Sequence, residues 1–93
     1  RDFSKQIEDL FHYFHWCYYH IYEQSRYARR SSKGFPDYIA VRGDRVLAIE
    51  VKSEKGKLSD AQFEWLEVWR RTGKVEVEIW RPSDFDRIIE VLR

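Results

Sequence analysis

Residues 34–52 read GFPDYIAVRGDRVLAIEVK and decide the predicted fold. Two runs rich in β-forming residues, 37–42 and 45–52, are separated only by Gly43 and Asp44. A two-residue connection with glycine first is typical of a type II′ turn, whose twist matches that of paired antiparallel strands. The stretch therefore predicts a β-hairpin.

The turn determines which residues face each other across the hairpin. With Arg42 opposite Arg45, Asp37 lies opposite Glu50, and their Cβ atoms are about 4.5–5.5 Å apart. Two carboxylates this close repel each other, so a proton, a basic side chain or a cation must compensate them. Lys52 lies on the same face and supplies part of that compensation, while a hard divalent cation is a second way. A plainer alternative is a solvated sheet end at which Lys52 bridges the two acids.

A helix and a further strand are predicted before the hairpin. Apolar residues recur at helical spacing near the start of the chain, at Phe3, Ile7, Leu10, Phe11 and Phe14. Residues 16–22 are dense in aromatic side chains and favour a strand. Residues 24–33, named the basic segment below, are polar and hold four basic residues and no acid. They predict a positively charged loop.

A helix, a strand and a last helix are predicted after the hairpin. Ser59-Asp60-Ala61-Gln62 has the form of a capping box that begins a helix, and Gly73 ends it. The apolar residues expected to face the core from this helix are Phe63, Leu66, Val68 and Trp69. Residues 74–80 alternate as a half-buried strand does, and Pro82 begins the last helix. The order α-β-β-β-α-β-α predicts one α/β domain over residues 1–93, with helices packed on a mixed sheet.

Composition excludes several classes of protein. The chain is 43% hydrophobic and 35% charged, with a net charge of +1, as in an ordinary soluble domain. No apolar run reaches the length of a membrane span. The single cysteine, Cys17, cannot form an internal disulfide, which favours a cytoplasmic location.

The chain begins at Arg1 and contains no methionine, so we expect that some N-terminal residues are missing. Four Trp, six Tyr and six Phe exceed what a small core can bury, so we expect a homodimer.

Three motifs together strongly resemble one known family. GFPD at 34–37, EVK at 50–52 and LSDAQ at 58–62 are similar to the VRR-NUC family of the PD-(D/E)XK nuclease superfamily. The likeness extends over residues 3–92 and is greatest to the minimal stand-alone bacterial and phage members. It implies a restriction-endonuclease-like core and a Mg²⁺- or Mn²⁺-dependent DNA endonuclease of a bacterial cell. The implied substrate is branched DNA, such as a Holliday junction or a flap.

The resemblance also implies roles for individual residues of the hairpin. Asp37 and Glu50 would bind the metal ion, with the main-chain carbonyl oxygen of Val51 as a third ligand. Lys52 would orient or activate the attacking water and stabilise the charge that develops on the phosphate. The family thus assigns a metal to the two acids that the register brings together.

Two further parts of the family site leave alternatives open. Gln62 would reach the site from the next helix, but it is also the third residue of the capping box. Related nucleases usually add a glutamate from the first helix, and the candidates for that ligand here are Asp2 and Glu8. Asp2 is the better match, because it precedes Phe3 as the family acid precedes its own apolar residue.

DNA contacts are expected next to this site. The candidate residues are Arg26, Arg29, Arg30 and Lys33 of the basic segment, with His20 on the strand before it. Binding through phosphates releases counterions and therefore weakens steeply with salt. Two rival functions remain open: a non-catalytic DNA-binding module with an incomplete metal pocket, and an accessory subunit whose aromatic face binds another protein.

Overall fold

A computed structural model describes residues 2–22 and 33–93 as four strands and three α-helices. The elements are α1 (Phe3–Tyr13), β1 (Cys17–His20), β2 (Tyr38–Arg42), β3 (Arg45–Val51), α2 (Asp60–Arg71), β4 (Glu76–Trp80) and α3 (Phe85–Leu92), the last preceded by a 3-10 turn (Pro82–Asp84). This is the predicted order α-β-β-β-α-β-α. No helix within these two ranges combines the length and the apolar character needed to cross a membrane.

The four strands form one mixed sheet in the order β1-β2-β3-β4. β1 and β2 are antiparallel, as are β2 and β3, whereas β3 and β4 run parallel. Arg42 pairs with Arg45 and Tyr38 with Ile49, which confirms the hairpin register. Gly43 has a φ angle of 61°, the positive value that the first position of a type II′ turn requires.

Helices cover both faces of the sheet. α1 and α3 pack on one face, where the buried core consists of Ile7, Phe11, Trp16, Tyr38, Ala40, Leu47, Ile49, Trp80, Ile88 and Leu92. On the other face α2 lies along β4 and buries Leu66. Because β3 runs between β2 and β4, residues 47–50 are buried on both faces.

The face of α2 that packs inward differs from the prediction. Phe63 and Val68 were expected in the core but are 55% and 53% exposed. At 100° per residue, the buried Leu66 shares one sector of the helix with Trp65 and Trp69, while Phe63 and Val68 lie on either side of it. Trp65 and Trp69, four residues apart, therefore define the inner face together with Leu66. The prediction was wrong for Phe63 and Val68.

The C-terminus of α1 has a conformation that usually requires glycine. His15 has a φ angle of 64°, the only positive value at a non-glycine position among the described residues. The N–H of Trp16 donates to the oxygen of Phe11 over 2.8 Å, and the N–H of His15 donates to that of His12 over 3.2 Å. This is the Schellman pattern of helix termination, in which the left-handed residue is normally glycine.

Replacing His15 with glycine should raise the free energy of unfolding by about 1 kcal/mol. A side chain in the left-handed region costs roughly 1–2 kcal/mol, and the greater freedom of glycine in the unfolded chain offsets part of the gain. Urea unfolding measures the change. The control is His12→Gly within α1, which should lower the stability by about 0.5 kcal/mol. A loss of stability in both variants would contradict the assignment of strain to His15.

Candidate active site

The two acids of the hairpin meet at one end of the sheet. Asp37 directly precedes β2, and Glu50 lies near the end of β3, one step beyond the paired Tyr38 and Ile49. Oδ2 of Asp37 accepts a hydrogen bond from the N–H of Val51 over 2.8 Å. Asp37 thus replaces the missing main-chain partner at this end of β3, and the register keeps it next to Glu50.

Glu50 is a buried acid whose charge is compensated within the protein. It is 2% exposed, so the plainer alternative of two solvated acids is wrong for this residue. Its Oε2 accepts from Nε2 of Gln62 over 3.0 Å and lies 3.9 Å from Nζ of Lys52. A buried carboxylate is costly unless it is hydrogen-bonded and paired, and these two residues supply both kinds of contact.

Gln62 has both of the roles that the sequence left open. The capping box of α2 is complete, because the Ser59 hydroxyl accepts from the Gln62 N–H while Oε1 of Gln62 accepts from the Ser59 N–H. With its amide oxygen engaged in this way, the amide group of Gln62 must direct its NH₂ elsewhere. The acceptor there is Glu50, so the start of α2 orients one of the two site carboxylates.

The GFPD motif fastens the chain to α2 directly before Asp37. Gly34 has a φ angle of 80°, and a Cβ atom there would lie 2.5 Å from the carbonyl carbon of Ala61. The Phe35 ring packs edge-on against Trp65 and Trp69, with ring centroids 4.8 and 6.1 Å away. Only glycine permits the close approach, and the aromatic contact holds the segment that positions the acid.

Arg81 is a supporting residue that sequence reasoning missed. Its Nη1 donates to the main-chain oxygens of Ser53, Glu54 and Gly56, over 2.5, 3.2 and 2.7 Å. These residues form the loop that follows Lys52, so a single guanidinium group fixes the exit from the site. The parallel pairing of β3 with β4 is the signal that could locate it, because this pairing places the residue after β4 beside the residue after β3.

The two candidate acids of the first helix are engaged elsewhere. Oδ1 of Asp2 accepts from the N–H of Ser4 and caps α1. Glu8 accepts from the hydroxyls of Tyr18 and Tyr38. Burial and the hydrogen bond to Glu8 raise the pKa of the Tyr38 hydroxyl, which therefore remains a donor. Across residues 2–22 and 33–93, no three His, Cys, Asp or Glu side chains form a group that could hold a metal ion.

The predicted DNA contacts are only partly described. Nδ1 of His20 lies 3.5 Å from Oε2 of Glu8, and its ring stacks on Tyr38 with centroids 4.3 Å apart. This places His20 on the α1 side of the sheet, facing Glu8. Lys33 is exposed at the beginning of the second described range. The other three candidates, Arg26, Arg29 and Arg30, lie outside the described residues.

The chemistry of the site suits a hard cation. Asp37 and Glu50 contribute carboxylate oxygens, and the hydrogen bond from Val51 to Asp37 brings the main chain of β3 to the same place. Carboxylate and carbonyl oxygens are the ligands that Mg²⁺ and Mn²⁺ prefer, with water and phosphate oxygens completing the coordination. Two acids and a carbonyl are a short but compatible set of ligands.

A mixed sheet that presents two acids and a lysine at one end is the architecture of a PD-(D/E)XK nuclease. Structure comparison finds the same fold in Hjc of Archaeoglobus fulgidus, a Holliday junction resolvase from an archaeal hyperthermophile. The TM-score is 0.52 and the identity 24%, over 84% of this chain and 67% of that chain. The sequence profile of the VRR-NUC domain matches residues 13–82, more than half of the chain. The chain therefore belongs to the VRR-NUC family. No curated protein matches it.

Gly34→Ala should destabilise the fold more than the same change at Gly43. Both glycines have positive φ angles, so each substitution introduces backbone strain of roughly 1–2 kcal/mol. Only Gly34 also meets a neighbour, since a Cβ at Gly43 has nothing within 4 Å. The difference between the two free energies of unfolding, measured in urea, reports the contact with Ala61. Equal losses would show that the segment moves away from α2 without cost.

Proposed function

We propose that this protein is a Mg²⁺- or Mn²⁺-dependent endonuclease that hydrolyses phosphodiester bonds in branched DNA. The observation that carries the proposal is the buried Glu50 next to Asp37, with Lys52 beside it, in a chain of a nuclease family. A buried acid that has a second acid and a lysine beside it is a candidate for a functional site.

Each residue of the site has a distinct task in this reaction. Asp37, Glu50 and the Val51 carbonyl would hold the cation, which when bound polarises the scissile phosphate and lowers the pKa of the attacking water. Gln62 keeps the Glu50 carboxylate in place. The Lys52 side chain is only 16% exposed, and its ammonium group would orient the water and stabilise the negative charge that develops on the phosphate oxygens.

The preference for branched DNA rests on the fold and on the distribution of charge. The fold is shared with a protein described as a Holliday junction resolvase. In the sequence, the basic segment directly precedes the GFPD motif, so its positive charges are close in sequence to the site. Contacts to phosphates position a protein on DNA without reading its bases. Recognition would therefore depend on the shape of the DNA rather than on its sequence.

The homodimer remains part of the proposal. Several large side chains stay exposed on the described surface: Tyr13, Tyr19, Tyr22, Val41, Phe63 and Val68. A second copy would bury some of this apolar area and would provide two sites for the two strands of a junction. Light scattering that gives twice the 11.4 kDa of the chain supports this part, and a monomer mass contradicts it.

One observation favours a second candidate, a DNA-binding module without catalysis. Glu8, a candidate for the third acid of the family site, is hydrogen-bonded to two tyrosine hydroxyls. Two carboxylates alone bind a hard cation more weakly than three. Cleavage of a junction substrate by the wild-type protein in Mg²⁺ or Mn²⁺, and its absence in EDTA, distinguishes the two functions.

Asp37→Asn should abolish cleavage and leave the fold intact. Asparagine keeps an oxygen that accepts from the Val51 N–H, so the hydrogen bond that supports β3 survives. It removes the charge that the metal requires, so cleavage should fall by more than about a hundredfold. Melting temperature, gel-shift affinity in Ca²⁺ and junction cleavage in Mn²⁺ are measured on one preparation.

The matched control is Asp44→Asn at the opposite end of the same hairpin. It removes the same charge from an exposed turn and should leave cleavage within about twofold of the wild type. If Asp37→Asn cuts the junction at the wild-type rate, Asp37 is not a metal ligand. If Asp44→Asn loses cleavage equally, the effect follows from net charge.

Gln62→Ala and Ser59→Ala separate helix capping from catalysis. Each variant breaks one half of the capping box and should cost about 1 kcal/mol of stability. Ser59→Ala retains the main-chain N–H that orients the Gln62 amide, whereas Gln62→Ala removes the donor to Glu50. Cleavage should therefore fall about 10- to 100-fold in Gln62→Ala but not in Ser59→Ala. The Mn²⁺ concentration that gives half-maximal cleavage should also rise only in Gln62→Ala. Equal cleavage by the two variants would reduce Gln62 to a helix cap.

A further inference from the structure

Tyr22 lies beside the candidate active site but takes part in none of the contacts described for that site. It follows β1, and the N–H of the preceding residue, Ile21, donates to the main-chain oxygen of Asp37 over 2.7 Å. This bond extends the pairing of β1 and β2 to the end of the sheet that carries the two acids. With strands about 4.8 Å apart and a rise of about 3.3 Å per residue, the Cα atoms of Tyr22 and Asp37 are about 6 Å apart.

The Tyr22 ring is supported from one side by rings that reach the core. Its centroid lies 4.1 Å from that of His20, with the two rings tilted by 42°, and the His20 ring stacks on Tyr38 at 4.3 Å with an interplanar angle of 20°. Tyr38 is fully buried, and its hydroxyl donates to Glu8. The inner end of this row of three rings is therefore fixed, while Tyr22 itself is 74% exposed. Within residues 2–22 and 33–93, the Tyr22 ring packs against the ring of His20 and no other, which leaves its opposite face available.

We propose that the open face of Tyr22 is a stacking platform for an unpaired nucleobase of the DNA substrate, next to the bond that is cut. A rigidly supported aromatic ring with one free face suits a flat π-system, and nucleobases stack on such rings whatever their sequence. Bases inside a duplex already stack on both neighbours. Only a base at a branch point, flap or gap is therefore free to occupy the platform.

The two faces of the sheet support this choice of ligand. Strand alternation puts Tyr22 with His20 on the face covered by α1, whereas Asp37 projects toward the face covered by α2. A nucleotide that reaches both must keep its phosphate on one side of the sheet end and extend its base to the other. That is an extrahelical conformation, which costs least for a base that is already unpaired. The inference rests on the proposed nuclease function and names the feature of branched DNA that the site selects.

The test uses two DNA substrates that differ only in one unpaired base. One is a duplex with a single bulged 2-aminopurine, and the other carries the same base paired. Binding is measured in Ca²⁺ from the fluorescence of 2-aminopurine and from gel shifts. Tyr22→Ala should bind the bulged DNA about 5- to 150-fold more weakly than the wild type, and the paired duplex equally well. Tyr22→Phe, which keeps the ring, should bind both like the wild type.

Tyr13→Ala is the matched control, because Tyr13 is also 74% exposed but lies at the C-terminal end of α1. It should change neither affinity. A loss of the same size on both DNAs, or no loss in Tyr22→Ala, overturns the platform. A lower mass of Tyr22→Ala in light scattering without a selective loss also overturns it, and places Tyr22 between two copies of the chain. If the wild type binds and cuts junction DNA, these results concern the platform alone. If the wild type binds no DNA, the proposed function and the platform both fail.

Discussion

The register between β2 and β3 is the constraint on which the site depends. Strand side chains alternate between the two faces, so a slip by one residue would move Glu50 to the face that holds the α1 and α3 core. The same slip would also break the hydrogen bond that Asp37 accepts from the Val51 N–H. The positive φ angle of Gly43 fixes the two-residue turn and with it the register. A backbone requirement at one end of the sheet therefore determines the carboxylate pair at the other end.

Glu50 connects this register to the rest of the fold. An isolated buried carboxylate costs several kcal/mol, so Glu50 is acceptable only where donors meet it. One donor, Gln62, is oriented by the first turn of α2, and Lys52 directly follows the last residue of β3. The hairpin, the crossover helix and the loop held by Arg81 must all be in place before the pair of acids is stable. The site is for this reason a product of the complete fold and not of the hairpin alone.

What the sequence could predict was governed by local chemistry. The turn, the capping box and the helical stripe of α1 each depend on neighbouring residues, and the structure confirms all three. The inward face of α2 was mispredicted at Phe63 and Val68, because tertiary packing chooses among several apolar residues. The engagement of Glu8 by two tyrosine hydroxyls and the reach of Arg81 across the sheet depend on residues far apart in sequence. No local pattern contains that information.

The two arginines at the hairpin tip are engaged within the fold, which bears on how a chain of net charge +1 would bind DNA under the proposed function. At the hairpin tip, the guanidinium groups of Arg42 and Arg45 lie over the Trp16 ring, 4.6 and 5.0 Å from its centroid. Both also donate to carbonyl oxygens of the last turn of α3, Arg42 to that of Leu92. Unpaired carbonyls at a helix C-terminus favour cations, so these two arginines stabilise α3 and are not free for phosphates. The positive charge of the basic segment adjoins the other end in sequence. Under the proposed function, the attraction of DNA therefore depends on the distribution of charge along the chain, which the net value does not show.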